Sequence, residues 1–478
     1  MVRERAGSAL RKVARRRLAV DRRALAAFRV GLALVLLADL ARRTPDVAAF
    51  YTDSGVLPRS LLGTLYPGYE TVSLHAVSGS LTFQVLLFGL AAVAALALLA
   101  GYRTRLAAVL SLVLLVSLQL RNPLVLNSGD VLLRRLLFWG LLLPLGSRWA
   151  VDSGQRPDGD VSVAGPATAG LLAQVIAVYA TNAVVKLRSD VWLRGDAVRY
   201  AFELDHFTVA LGNVLAGRAA LLTVADWVWL GLLVVSPLLV LLTGRARAGL
   251  VTAFMCVHAG MVVTLNLGVF PLVSLVSLLP FMPTVVWDRF EQWIGVPGWL
   301  PALHRPWTPL AQRVPALSGA ARAFAALCLA VLLVSNAVGL GVVGAPAGTP
   351  SQVTERSWDM FAPSPPLATW WYDAPATLTT GEQVNAITGD RYDRSRPADA
   401  ADRHPNERWR KFFADARQEP RLRESLARYH CQRWNRTHDS GMTGIELWLQ
   451  WESTALGGPE SVQRERQEQY RCSELTAQ

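Results

Sequence analysis

Residues 24–41 read Ala24-Leu-Ala-Ala-Phe-Arg29-Val-Gly-Leu-Ala-Leu-Val-Leu-Leu-Ala-Asp39-Leu-Ala41, a run of about 18 mostly apolar side chains. Arg3, Arg5, Arg11, Lys12, Arg15, Arg16, Arg17, Arg22 and Arg23 precede it, against only Glu4 and Asp21. A basic stretch before an apolar core is also how a signal peptide begins. Such a core spans about 7–15 residues and ends at a small-residue cleavage site. This run is longer, holds Arg29 and Asp39, and no such site follows. It reads as a first transmembrane helix, with the basic segment 1–23 held in the cytoplasm.

Eight more apolar segments follow: Leu81–Ala100, Leu106–Leu120, Val131–Leu145, Ala167–Val185, Trp227–Leu242, Gly249–Val269, Pro271–Met282 and Ala320–Val343. A spanning helix needs about 20 residues. Four of the segments are shorter, so the expectation is nine crossings, with seven or eight as alternatives. Arg103 and Arg105, Arg148 and Arg156, Arg245 and Arg247, then Arg289, Arg305 and Arg313 fall in alternate loops. The positive-inside tendency makes these loops cytoplasmic. An odd number of crossings then puts the C-terminal tail outside.

Composition agrees with a membrane chain. Of 478 residues, 18% are charged and 52% apolar; soluble domains carry about 25% charge. The net charge of +12 would suit nucleic acid, but no recognition fold, zinc-finger spacing or RNP-like strand accompanies it. Arginines flanking membrane segments explain it better, so no nucleic-acid partner is expected. Only Lys12, Lys186 and Lys411 are lysines among 48 basic residues.

The segment 350–478 changes character, being polar and rich in Arg and Trp. Thr369–Tyr372, Ala376–Leu378, Gln383–Ile387 and Ile445–Trp451 read as strands, and Asn406–Arg433 as charged helix broken at Pro420. The expected fold is thus an all-α polytopic membrane bundle over 24–345, with a small α+β extracytoplasmic domain over 350–478. Cys256 and Cys328 lie in apolar runs. Cys431 and Cys472 lie in the tail and are disulfide candidates if it is exported. His430 and His438 near them match no common zinc spacing, and no metal is expected. Nucleotide-binding loops, hydrolase elbows and metalloprotease motifs are missing.

Ionisable residues inside membrane helices suggest function by default. Lys186 ends the segment Tyr179-Ala-Thr-Asn182-Ala-Val-Val-Lys186. At 100° per residue, Tyr179, Asn182 and Lys186 fall within about 60° of one another. A buried lysine can lose its proton and act as a base, whereas arginine cannot. The alternative is a lysine snorkelling to the interface. His258 lies mid-segment in Met255-Cys-Val-His258-Ala-Gly-Met-Val-Val-Thr-Leu-Asn266, either as a proton carrier or as a hydrogen-bonded core histidine. Asp130 and Arg134 can pair on one helical face, and Arg29 and Asp39 read as interior or interfacial ion-pair members.

Several strings together resemble one family. Phe50-Tyr-Thr-Asp-Ser-Gly-Val-Leu-Pro58 follows the first helix, Arg121-Asn-Pro-Leu-Val-Leu-Asn127-Ser-Gly-Asp130 precedes the fourth, and Trp149-Ala-Val-Asp152 follows it. Lys186-Leu stands shortly before Trp192 and Gly195, His258 comes before Phe270, and Trp358-Asp-Met-Phe-Ala-Pro363 opens the tail. The combination, over most of residues 20–375, resembles the HTTM domain, the bacterial branch of the vitamin K-dependent γ-carboxylase-like family. In the animal carboxylase a quinol is oxygenated while a strong base forms that deprotonates a glutamate side chain. The resemblance implies that Lys186 is the activating lysine and that His258 matches a family histidine. It also implies a quinol cofactor, menaquinol-like, with Tyr179, Asn182 and Asn266 as the cofactor-binding candidates. Ser147 stands where the animal enzyme has a histidine, and the tail is much shorter than the animal lumenal region.

Two functions follow as expectations. One is an enzyme of the plasma membrane that uses a quinol and Lys186 to modify a peptide or lipid at the outer face. The other is a non-enzymatic membrane factor for peptide or toxin maturation, export or immunity. Membrane lipid is a partner in both, and a peptide substrate in the first. A transporter is a third class, but no inverted repeat is visible.

Overall fold

The structure, a computed structural model, describes residues 13, 16–153, 161–294, 315–345, 358, 360–458 and 461–476. Most of the basic segment 1–23, with Arg156, Arg305 and Arg313, lies outside the described residues.

Each of the nine apolar segments forms helix. They are α1 (Arg22–Arg43), α2 (Leu81–Ala100), α3 (Thr104–Arg121), α4 (Ser128–Leu141), α5 (Pro166–Lys186), and, after the short α6 (Asp190–Leu193) and α7 (Ala197–Phe202), α8 (Ala219–Val235), α9 (Gly244–Thr264), α10 (Phe270–Leu278) and, after α11 (Thr284–Ile294), α12 (Pro315–Gly339). Among the described residues six helices are long and apolar enough to cross a membrane, and α10 with α11 makes a seventh candidate bent by 104°. At 1.5 Å per residue, the 14-residue α4 spans about 21 Å, short of the hydrocarbon core. Its ends are fixed locally: Asn127 accepts the amides of Gly129 and Asp130, and Asp130 accepts the Asn127 amide, forming a capping box.

The inter-helix connections gather at two ends. At one end Gly101 takes a left-handed φ of 69°, and a Cβ there would meet Ala150 and Arg29, so the chain turns tightly. Arg29 donates to the carbonyls of Leu98, Leu99 and Trp149 there. Asp152 holds the amides of Arg103 and Thr104. Arg23 pairs with Asp288 and Glu291, Trp149 packs on Trp287 and Phe290, and Arg247 reaches the Arg17 carbonyl. The other end holds the last turns of α1, α3, α5 and α9 and the first turns of α2, α4, α8 and α10.

That second end is covered by the tail. Apart from a two-residue pairing of β1 (Val20–Asp21), just before α1, with β2 (Ser162–Val163), the described strands belong to the antiparallel sheet of the tail: β3 (Ala368–Asp373) and β4 (Pro375–Leu378) both pair one side of β6 (Met442–Ser453), β5 (Gln383–Asn385) pairs β4, and β7 (Val462–Arg471) pairs the other side of β6. Strand β7 was not among the expected strands. Its sequence, Val-Gln-Arg-Glu-Arg-Gln-Glu-Gln-Tyr-Arg, alternates no apolar residues, and it is mostly exposed; cross-strand register with β6 makes it a strand. Helices α13 (Glu407–Ala416), capped by Asn406, and α14 (Pro420–Thr437), with Pro420 in its first turn, pack beneath. Phe412, Phe413, Leu422, Leu426 and Tyr372 share one core with Phe50, Val56, Leu57 and Val125 of the bundle, and Phe50 stacks on Trp409 at 4.7 Å.

A buried charge network joins the two parts. Arg43 donates to Asp39 at 2.8 Å, to Asp130 at 2.6 Å and to Tyr51 at 2.5 Å. Arg408 of α13 donates to Asp39 at 2.5 Å, to Asp130 at 3.4 Å and to the Val125 carbonyl at 3.0 Å. The expected Asp130–Arg134 pair is therefore corrected: Arg134 donates to Gln119 at 2.8 Å, because two buried guanidiniums already satisfy Asp130. Arg29 is corrected likewise, since its partners are carbonyls, while Asp39 does belong to a buried ion pair. Cys431 and Cys472 are disulfide-bonded with Cα atoms 5.6 Å apart and a sequence separation of 41. A loop of that length contributes about 3–4 kcal/mol by chain entropy. His438 stacks on Trp434 at 3.8 Å, and no group of three or more metal-type ligands forms among the described residues.

Candidate functional site

Helix α5 carries its polar stripe into the bundle. Tyr179, Asn182 and Lys186 are all buried, as their spacing requires if one face packs inward. The Tyr179 hydroxyl meets His258 Nε2 of α9 at 3.0 Å. The Tyr179 ring lies 4.7 Å from Phe254, and Trp229 and Phe270 stand edge-on to the His258 ring at 5.5 and 5.9 Å. The imidazole is enclosed, and its Nδ1 is buried with no partner among the described residues.

One turn above, Asn182 Nδ2 donates to the Trp358 carbonyl at 2.6 Å. Trp358 opens a strap that crosses the end of α5. Its indole is held by Arg135 of α4 at 4.9 Å. Trp192 Nε1 donates to the Phe361 carbonyl at 2.9 Å, and Ser189 faces Ser364 at 3.3 Å. Under this strap lies Lys186, 2% exposed. Its Nζ stands 3.3 Å from the centre of the Trp192 ring. Among the described residues it makes no ion pair within 4.0 Å and no hydrogen bond, so its polar contact is the indole face.

Two expected site residues are thus brought together by a hydrogen bond, Tyr179 and His258, and two more, Asn182 and Lys186, lie under the strap. Asn266 is not with them. It stands two turns past His258, where its amide donates to the Phe207 carbonyl at 2.7 Å and its carbonyl accepts from Arg410 at 3.3 Å. This is an outer cluster: Arg410 lies 4.0 Å from the Phe207 ring, Phe207 lies 5.0 Å from Phe361, and His206 and His404 stand 6.0 Å apart. Burial, with the Arg410 charge, drives both histidines below their ordinary range, His404 to about 3.

One residue escaped the sequence reading. Asp226 is fully buried in α8 and accepts the Val198 amide at 3.1 Å. The apolar segment drawn from Trp227 begins one residue after it. The available signal was a carboxylate inside Ala219–Val235.

The arrangement supplies an amine without a buried counter-ion in contact, a phenol bonded to an imidazole, and aromatic walls. Such a set can take a proton from a hydroxyl-bearing apolar ligand and hold that ligand flat. No curated protein and no solved structure matches the chain. The family model described as HTTM domain matches residues 18–287, which covers α1 through α10 and the Tyr179, Asn182, Lys186 and His258 positions. The chain is a membrane protein of mostly helical fold that belongs to the HTTM domain family.

Proposed function

We propose that this chain is a quinol-dependent membrane enzyme in which Lys186 is the base, acting on a peptide or lipid at the tail-covered end of the bundle. The observation that carries this reading is the burial of the Lys186 amine at 2% exposure. A snorkelling lysine would keep its charged end in water; this one is buried against Trp192, whose indole donates to the Phe361 carbonyl. In a chain with 48 basic residues and three lysines, an amine here is chemically distinct from an arginine.

The residues present fit a quinol. His258 Nδ1 is a buried polar atom without a described partner, and the rings of Tyr179, Trp229, Phe254 and Phe270 wall this part of the bundle. When bound, a quinol would supply an acidic hydroxyl and two reducing electrons. Lys186 takes a proton at Nζ: one O–H bond breaks, one N–H bond forms, and the electron pair stays on oxygen. The Tyr179–His258 pair orients polar groups along α5, and the strap excludes water.

The membrane arrangement proposed with it is nine crossings in the plasma membrane, with the N-terminus cytoplasmic and the tail outside. Its support is the alternation of helix ends: α1, α3, α5 and α9 finish at the tail, and Arg103, Arg105, Arg148, Arg245, Arg247 and Arg289 lie toward the opposite end, whereas the arginines of the tail-end loops are interspersed with acidic residues. A second reading, a non-enzymatic factor for peptide maturation, export or immunity, draws on the 3.3 Å contact of Lys186 with Trp192, which by itself could anchor the loop.

Lys186→Arg separates the two. It keeps the positive charge and the indole contact but removes the base, so complementation of a deletion strain should fall to background while the protein stays folded and inserted. Full complementation by Lys186→Arg would overturn the enzyme reading. Mass spectrometry of lipids that co-purify with the wild-type chain should find a quinone, depleted by His258→Ala.

A further inference from the structure

Asp226 stands in the middle of α8, in Ala219-Ala-Leu-Leu-Thr-Val-Ala-Asp226-Trp227. Its Oδ2 accepts the Val198 amide in the first turn of α7. Its Oδ1 is buried and has no hydrogen-bond partner among the described residues. A carboxylate at the centre of a membrane helix costs about 2.5–3.5 kcal/mol on insertion scales, and such residues pair with another polar group or line a pathway. One amide bond to a six-residue helix accounts for one oxygen only.

Lys186 is incomplete in the complementary way. Its amine has the Trp192 face on one side and, among the described residues, no acceptor for its N–H groups. Asp226, on the neighbouring α8, carries the opposite charge and is itself buried. The backbone brings them near. Helix α6 carries Trp192 and packs on α8, where the Trp227 indole reaches the Leu193 carbonyl at 3.4 Å. Gly195 has a left-handed φ of 78°, and a Cβ there would meet Thr223 at 2.8 Å and Trp227 at 2.9 Å. That glycine lets the loop after Lys186 press onto α8 beside Asp226.

We propose that Asp226 is the positioning residue for Lys186, its carboxylate acting from the neighbouring helix, without direct contact in this structure, to stabilise the ammonium that forms when Lys186 takes a proton. This rests on the reading of Lys186 as the base. The proton leaves a ligand O–H bond for a new N–H bond at Nζ, and the ligand retains the electron pair as an oxyanion. A fixed negative charge beside the new ammonium favours that transfer, since a preorganised group need not reorient. A helix cap alone would need an acceptor, not a charge, and asparagine caps as well as aspartate.

The test uses the three lysines. In the full chain in detergent, reductive methylation with ¹³C-formaldehyde modifies neutral amines; it is run at the acidic edge of the wild-type Lys186 profile, where most of that amine is protonated, and Lys411 serves as internal reference. Asp226→Asn keeps an oxygen for the Val198 amide and removes the charge. It should raise the Lys186-to-Lys411 methylation ratio about tenfold, because an opposite charge nearby favours the protonated amine. Asp226→Glu should leave the ratio within threefold of wild type. A ratio unchanged in Asp226→Asn would overturn the proposal. Should Asp226→Asn fold poorly, thermal melts of a double variant decide. Lys186→Met strands a buried carboxylate, so adding Asp226→Asn should raise its melting temperature. A further drop instead would show that the two side chains are uncoupled and sink the idea. If the methylation ratio responds but Lys186→Arg keeps full complementation, the Asp226–Lys186 link stands and the base reading alone fails.

Discussion

Arg408 shows what one side chain does when it carries a charge into a closed interior. It is almost wholly buried and reaches from the tail to Asp39 at 2.5 Å and Asp130 at 3.4 Å. Arg43 alone would leave two carboxylates sharing one guanidinium. Such a network gains little over a well-packed apolar core, yet removing one member leaves a buried charge uncompensated, at about 3–5 kcal/mol. Arg408→Met, close in volume, should therefore lower the unfolding free energy by about 3 kcal/mol, measured by denaturant titration of the detergent-solubilised chain. A loss below about 1 kcal/mol would mean that Asp39 and Asp130 are neutral in the fold. The hydrogen bonds that hold Asp39 and Asp130 to Arg43 and Arg408 are the physical basis for expecting the larger figure.

Among elements, the tail stands out because its helices bury neutral histidines. His404 ends a short turn beside β3, with Trp370 at 5.1 Å and Phe413 at 5.9 Å. His430 lies inside α14 against Trp409 and Tyr429. Desolvation, with Arg410 or Arg433 nearby, pushes each down to about 3. The charged groups around them are mostly arginines, so no carboxylate offsets a second positive charge. In the unfolded chain each histidine titrates near its ordinary value of about 6.5. The fold then binds fewer protons than the unfolded chain between about pH 6.5 and pH 3. Stability is present above pH 6.5 and falls as the pH drops through that window, by about 1.4 kcal/mol per unit for each group. Near-ultraviolet circular dichroism should show the tail unfolding at lower denaturant at pH 5 than at pH 7, and His404→Gln with His430→Gln should flatten that dependence. A pH-independent midpoint in the wild type would contradict it. Strand β7 and the Cys431–Cys472 bond close the same unit, with α14 tied to the turn after the last strand.

On the scale of the whole molecule, outer surface and interior exchange their usual roles. Helices α2 and α12 expose many large apolar side chains, Leu86, Val93, Leu327 and Val331 among them, while Arg43, Asp130, Arg408 and Lys186 are inside. That is the arrangement of a bundle whose solvent is lipid. The proposed topology makes the two ends chemically accessible from opposite sides. In a chain with Cys256 and Cys328 changed to serine and the disulfide intact, Ser395→Cys should react with a membrane-impermeant maleimide on intact cells. Arg245→Cys, in the loop between α8 and α9, should react only after permeabilisation. Labelling of both positions on intact cells would rule out the three crossings proposed between residues 245 and 395. Ser8 and Ser357, natural choices from the sequence, lie outside the described residues.

The sequence by itself determined the apolar helices, the change of character at the tail, four of its five strands and the helix break at Pro420. These are local properties: apolar runs, period-two alternation and a proline report on backbone within one or two turns. It also placed Tyr179, Asn182 and Lys186 on one stripe, since helical spacing is geometry alone. Tertiary structure decided the partners. Asp130 had Arg134 within its own helix, but the pairing went to Arg43 and Arg408, the latter 278 residues away, because a desolvated carboxylate takes the donors that packing delivers. Asn266 shared a string with His258 yet went to the outer cluster, carried there by the end of α9. Strand β7 exists only through its register with β6, and the partner of Asp226, the Val198 amide, arrives only when the α6–α7 segment folds onto α8. Periodicity determines which face of an element is buried; which charges meet inside depends on contacts between segments far apart in the chain, and no local pattern records those.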